Sequence, residues 1–497
     1  MSGGSYPTAV RPATVREVST PTRALPTDGF VAVVKADCPT CRLVEPVLAA
    51  LPQVAVFTQD DPDFPAVADR RDDTALDVSL ALEVETVPTL VRFEDGRETG
   101  RIVGWLREQW QDFTGVPELG AELPEHRPGC GSRTLDPDMA DALLVRAKEG
   151  SLRSRRLQIA ELEDELEALY DRGFSDGLPV VPPTPVRVLR MLDGTSRRPD
   201  EIVAVVPPNL VEVTVEKVAI NAVLAGCRPE YLPVVLAAVE AACTDEFNAH
   251  GLLATTWGAG PAVCVNGPVR AEIGMNWAGN ALGQGNRANA TIGRALQLVI
   301  RNVGGGRPQE VDRAALGHPG KVGFCFAEDE DGSPFEPLAQ SRGVAPGRSA
   351  VTVFAADGPR GVADQISRTP ESLAGSLAQA LRSVCHWKLA GGFDASLVLS
   401  PEHGRTFREA GWDRARLHRE LDARLLLDRA EIARGAGGID EGMPGGGADR
   451  PLPKFRPGGY MIMYAGGGAG MFSAVIGGWA GGPGGSAPVT REVDPWR

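Results

Sequence analysis

Two cysteines spaced as Cys38-Pro39-Thr40-Cys41 follow directly on the apolar run Val31-Ala32-Val33-Val34. A strand that delivers two cysteines to the start of a helix makes a reactive dithiol. Partial positive charge at the helix N-terminus favours thiolate at the first cysteine, and the second, one turn on, lies close enough to close a disulfide. The same spacing is half of a zinc site, but no second CxxC or paired histidines follow nearby. Instead, residues 42–51 continue as an amphipathic helix with Leu43, Val44, Val47, Leu48 and Leu51 available to a core. Residues 54–57 read as a second strand. Residues 84–93, the turn Glu94-Asp95-Gly96 and residues 99–103 read as strand, turn and returning strand.

This order resembles the thioredoxin family over residues 26–118. The resemblance implies that Cys38 is the attacking thiolate and Cys41 the resolving thiol. It also implies that Pro88, in Val87-Pro88-Thr89, is a cis-proline facing them. The redox-active Cys38–Cys41 disulfide is then the only cofactor required, and no metal is expected. Two positions depart from the family pattern. Asp37 replaces the tryptophan usual before the first cysteine, and Ala32 stands where many members bury an acid that helps deprotonate the resolving cysteine. A carboxylate beside Cys38 is expected to raise its pKa, opposing the helix dipole. A redox-silent module of the same fold is the alternative.

At 497 residues the chain exceeds a single core. A net charge of −14, with no basic cluster interleaved with aromatics, argues against nucleic-acid or anionic-membrane partners. The start, Met1 to Pro7, lacks the pattern of a secretory signal. Eight cysteines over this length make no disulfide framework, so a reducing cytoplasm is expected. Residues 457–490 carry no charge, but their glycine clusters and Pro483 read as loops rather than a spanning helix.

Four segments are expected: a disordered lead-in over 1–25, the thioredoxin-like domain over 26–118, a linker over 119–151 holding Cys130, and an α/β domain over 152–497. Residues 152–172 read as one helix, with Ile159, Leu162, Leu166 and Leu169 at 3–4 spacing. Beyond it, candidate strands at 202–206, 261–265, 322–326, 351–354, 396–399 and 460–464 alternate with candidate helices at 211–225, 229–243, 288–301, 370–385 and 413–427. That alternation predicts a mostly parallel sheet with Gly-rich C-terminal loops.

Open α/β sheets bind ligands beyond the carboxyl ends of their strands. There the sequence places Asn266-Gly267-Pro268, Glu328-Asp329-Glu330, Asp357-Gly358, Ser400-Pro401-Glu402-His403 and Gly466 to Gly470. His403 is the general acid/base candidate, with Glu402 and Glu328 behind it. Asn266, Gly467, Gly468 and Gly470 are candidate substrate contacts. Arg287 and Arg294 are a candidate carboxylate clamp, unless Arg294 pairs with one of the chain's own acids. Cys130, Cys227 and Cys325 are candidate relay thiols. Cys130 stands out, flanked by glycines with His126 and Arg133 near, although an incidental surface cysteine fits too.

Residues 170–490 are also similar to a poorly characterised bacterial family related to the proteins named for a selenocysteine-Gly-Ser-Cys motif. The resemblance lies in residues 176–184, Gly226-Cys227-Arg228-Pro229-Glu230-Tyr231, Phe324-Cys325-Phe326-Ala327-Glu328 and Ser400-Pro401-Glu402-His403. Cys130-Gly131-Ser132 echoes the naming motif, with Arg133 in place of its last cysteine. The resemblance implies redox biology and names no substrate. The preferred expectation is a dithiol exchanging electrons in cis with an α/β domain that processes a small molecule, with a thiol partner protein or reductase as a further partner. It requires sulfurs that a partner group can reach. The competing expectations are an interaction or ligand-binding protein without turnover, and a non-redox hydrolase or lyase using His403.

Overall fold

The computed structural model describes residues 25–148, 150–160, 163–444, 450–482 and 484–495; the expected lead-in lies outside them except for its last residue. The chain divides into two compact units, Met1–Glu149 and Gly150–Arg497. Both are mixed α/β, with parallel and antiparallel pairings. Among the described residues, no helix is long and apolar enough to cross a membrane.

The first unit holds a five-stranded sheet ordered Arg70–Asp72, Val54–Thr58, Gly29–Val34, Thr89–Glu94, Arg97–Val103. The first three strands run parallel, and the last two add antiparallel. Val31 to Val34 have no solvent exposure. A central strand covered on both faces needs an unbroken apolar run rather than alternation. The expected helix over 42–51 is two short helices, Pro39–Leu43 and Glu45–Ala50, meeting at Val44. Pro46 explains the break, because it lacks an N–H and its ring clashes with the carbonyl four residues back.

The expected linker is folded into this unit. His126–Arg127 pairs with Trp105–Leu106, and Cys130–Gly131 pairs antiparallel with Thr86–Val87. A turn at Arg133–Leu135 and a helix at Pro137–Ala147 follow. Such two-residue strands leave no periodicity to read in the sequence.

The second unit corrects the expectation of a mostly parallel sheet. One four-stranded sheet runs Cys325–Ala327, Gly260–Asn266, Ala350–Ala356, Val489–Glu492; the other runs Arg360–Ala363, Phe472–Ala480, Phe393–Leu399, Tyr460–Tyr464. Each contains one parallel pair and two antiparallel pairs. Part of the glycine-rich stretch read as loops is the antiparallel strand Phe472–Ala480. Its Gly477 leaves room for the Asp357 carboxylate, whose Oδ2 would lie 2.3 Å from a Cβ there. Helices Val215–Ala225, Leu232–Ala242 and Arg287–Asn302 share a core with the first sheet. Helices Pro370–Arg382 and Arg414–Arg424 share one with the second.

The long helix expected over 152–172 shrinks to Glu165–Asp171. Upstream of it, the backbone N–H groups of Arg153 and Ser154 donate to the buried Glu216 carboxylate, each at 2.9 Å.

Candidate functional site

Cys38 caps the Pro39–Leu43 helix, its sulfur accepting the Cys41 N–H at 3.4 Å. As a thiol it donates to the Val87 carbonyl at 3.6 Å, and the Val87–Pro88 peptide is cis. Cys130 stands opposite Val87 in the strand pairing, beside the carbonyl that the Cys38 thiol meets. Strand pairing therefore brings Cys130, 92 positions further along the chain, next to the Cys38–Cys41 turn.

Their electrostatics are unequal. A hydrogen bond from Cys41 is the chief cause that lowers Cys38 to about 5, aided by one from Cys130 and by the backbone N–H groups of Cys41 and Thr40. Burial and that same bond hold the Cys41 proton well above the ordinary thiol range. Burial and the neighbouring Cys38 also raise Cys130. The expected upward pull of Asp37 on Cys38 is corrected. Asp37 is exposed and paired with Lys35 at 3.1 Å, so its charge is spent elsewhere.

Neither Cys38 nor Cys41 has any solvent exposure, while Cys130 is half-buried. The cover is the segment 126–133. The Thr40 hydroxyl donates to the Pro128 carbonyl at 2.6 Å, and the Ser132 N–H donates to the Glu85 carbonyl at 2.9 Å. Buried Gln59, which carried no signal in the sequence, reaches Ser79 at 2.8 Å and Ser132 at 2.7 Å through its amide nitrogen, while its oxygen accepts the Arg133 N–H at 3.0 Å. A Cβ on Gly129 would stand 2.5 Å from Thr86 Cγ2 and 2.8 Å from the Val87 carbonyl oxygen, so only glycine passes there. In this closed arrangement Cys38 and Cys41 are themselves out of reach, and Cys130 is the partly exposed cysteine beside them.

In the second unit the strand-end loops converge only in part. The Asn266 amide donates to Glu328 at 2.7 Å and to Glu330 at 2.9 Å, and the Gly267 N–H donates to Glu330 at 2.6 Å. The Asp329 N–H donates to the Tyr464 carbonyl at 2.8 Å, and the Gly466 N–H to the Trp277 carbonyl at 2.9 Å. Asp357 is elsewhere. Its strand runs antiparallel to Gly260–Asn266, with Ala356 opposite Gly260, so its carboxyl end lies at the other edge.

The catalytic candidates here are structural. His403 is fully buried, with Nδ1 bonded to Ser473 Oγ at 2.7 Å and Nε2 to the Asp364 carbonyl at 3.1 Å; both ring nitrogens are occupied. The Glu402 carboxylate accepts the Met471 N–H at 2.6 Å. Arg294 forks onto Asp176 at 2.8 and 2.7 Å, and Arg287 donates to the Gly226 carbonyl at 2.9 Å. No clamp is free. Cys227 donates to the Thr291 carbonyl at 3.4 Å and is pushed up to about 12 by burial. Burial also raises Cys325, so both are inert thiols. A Cβ on Gly470 would meet the Phe472 ring and one on Gly467 the Gly279 backbone, while Gly468 has open space there. Glu328 is wholly buried, its carboxyl raised chiefly by burial, with Arg414 3.9 Å away.

One cavity of about 180 Å³ lies at the convergent edge, lined in part by Asn266, Gly267, Arg270, Glu330 and Arg348. Arg270 is 6% exposed and Asn266 1%, and Arg270 Nε and Nη1 and Asn266 Oδ1 have no hydrogen-bond partner. Among the described residues, no group of three or more His, Cys, Asp or Glu is placed to hold a metal ion. No family model matches the chain, and neither the curated proteins nor the solved structures contain a match to it.

Proposed function

We propose that the first unit carries out thiol–disulfide exchange, Cys38 being the attacking thiolate and Cys41 the resolving thiol, as the resemblance to the thioredoxin family implies. The observation that carries this is the placement of Cys38, whose sulfur caps its helix, accepts the Cys41 N–H at 3.4 Å and meets the Val87 carbonyl at the cis-Pro88 bond; a lowered Cys38 beside a raised Cys41 accords with it. A nucleophile ionised at neutral pH beside a thiol that keeps its proton is what ordered exchange needs. Cis-Pro88 beside the pair fits the same reading.

The test equilibrates the full chain against mixtures of oxidised and reduced glutathione, quenches with an alkylating agent and maps the peptides. A Cys38–Cys41 disulfide that titrates reversibly, and is lost in both Cys38→Ser and Cys41→Ser, is the expected result. Persistent dithiol across the whole range overturns it.

A second reading, favoured by the cavity beside Arg270, is that the second unit binds a small molecule carrying a carboxylate. The buried Arg270 guanidinium meets Glu330 and Asp331 through Nη2, each at 3.4 Å, and its Nε and Nη1 are left to offer such a group charge-assisted bonds. Saturable binding of small carboxylates that disappears in Arg270→Met supports it; no binding by the native chain rejects it.

A further inference from the structure

We propose that Cys130 is the sulfur through which the covered Cys38–Cys41 pair meets low-molecular-weight disulfides, with residues 126–133 forming the strap that holds it in place. The proposal rests on the exchange reading above and deepens it by naming the entry point and the substrate class.

Three observations support it. Of the three clustered sulfurs, only that of Cys130 belongs to a residue with solvent exposure. The backbone around it is held on both sides, by Thr40 on Pro128 and by Glu85 and Gln59 on Ser132. The strand register then sets Cys130 against Val87, whose carbonyl the Cys38 thiol contacts. A cover that was only a lid would need no cysteine at the register position opposite Val87.

The chemistry closes in three exchanges. Cys130, deprotonated, attacks R–S–S–R, forms Cys130–S–S–R and releases one R–S⁻, which takes up the proton. The Cys38 thiolate attacks the Cys130 sulfur and expels the second R–S⁻. Cys41 attacks the Cys38 sulfur, Cys130 leaves, and the Cys41 proton passes to it. Overall, one external disulfide is reduced to two thiols, the Cys38–Cys41 pair is oxidised to a disulfide, and Cys130 returns as a thiol. Because Cys130 is raised by burial and by Cys38, the first exchange quickens with rising pH.

The experiment uses the full chain carrying Cys243→Ser and Cys385→Ser, which removes the other partly exposed thiols. The probe is an aromatic disulfide that releases a coloured thiolate. In this parent, two equivalents of thiolate are released and Cys38–Cys41 forms. Adding Cys41→Ser arrests the sequence at a Cys38–Cys130 disulfide, identified by peptide mapping. Adding Cys130→Ser, or Cys130→Ala if the serine variant is unstable, slows release at least tenfold. Unchanged or faster release without Cys130 makes the strap a lid and overturns the proposal, as does a Cys41→Ser product joining Cys38 to the probe. Failure of the exchange reading itself looks different: no Cys38–Cys41 disulfide forms in the parent, whatever the rates.

Discussion

The hydroxyl of Thr40 reaches the carbonyl of Pro128 at 2.6 Å, tying the CxxC motif to a strap 88 positions further along the chain. The bond joins the helix that shapes the Cys38 thiolate to the segment that covers it. Loosening one therefore exposes the other.

Thr40→Val removes that hydrogen bond and is expected to cost about 1 kcal/mol. Gly129→Val forces a branched side chain against Thr86 and the Val87 carbonyl and is expected to cost about 1–3 kcal/mol. In both, alkylation of Cys38 by iodoacetamide should quicken severalfold, read by mass spectrometry, with denaturant unfolding giving the stability change. Native alkylation rates in both variants would show that the strap does not guard Cys38.

The reduced protein should titrate Cys38 with a midpoint of about 5, followed by ultraviolet thiolate absorbance. Cys41→Ala should raise that midpoint more than Cys130→Ala, because the Cys41 hydrogen bond is the larger cause. A value lowered from 9.0 on folding means that the unfolded chain binds more protons between the two values. The thiolate's contribution is therefore full above about 9 and fades as pH falls through about 5. The unfolding free energies of the reduced native chain and Cys38→Ala should diverge as pH rises through that window.

Arg414→Met should strand the fully buried Glu328 carboxylate and cost about 3–5 kcal/mol. Adding Glu328→Gln should restore much of the loss, because the amide keeps acceptors for Asn266 and Leu338 without the charge. Equal stability of the single and double variants in denaturant unfolding would show that the pair is not coupled.

His403→Ala should destabilise the second unit by about 2–3 kcal/mol, through lost packing and the orphaned Ser473 and Asp364 groups. A calorimetric transition at the native temperature would contradict the structural role.

The sequence disclosed elements wherever one residue pattern dominated a segment. The strands Ile202–Val206 and Tyr460–Tyr464 fall at their expected bounds, and the helix Arg287–Asn302 differs by one residue at each end. The Cys38–Cys41 turn was legible because a short motif carries it, whereas the cis bond before Pro88 was expected only from the family resemblance. Strand direction was not legible, because alternation of strands and helices does not say whether Phe472–Ala480 runs with its neighbours or against them. Nor did residue type separate His403 from a catalytic histidine: Ser473 and Asp364, which consume its two nitrogens, are 70 and 39 positions away. Cys130 was singled out by its glycine neighbours, but its meeting with Cys38 depends on a two-residue ladder with no sequence signature.

The Gln59 carboxamide has a kinetic consequence. One planar group serves Ser79, Ser132 and the Arg133 amide together, so peeling from that end would unmatch several polar groups in a single event. At the other end the ties are separate: Trp105 and Arg107 on Pro124 and Glu125, and Thr40 on Pro128. Lifting the segment would therefore break its anchors one by one at that end and all together at Gln59.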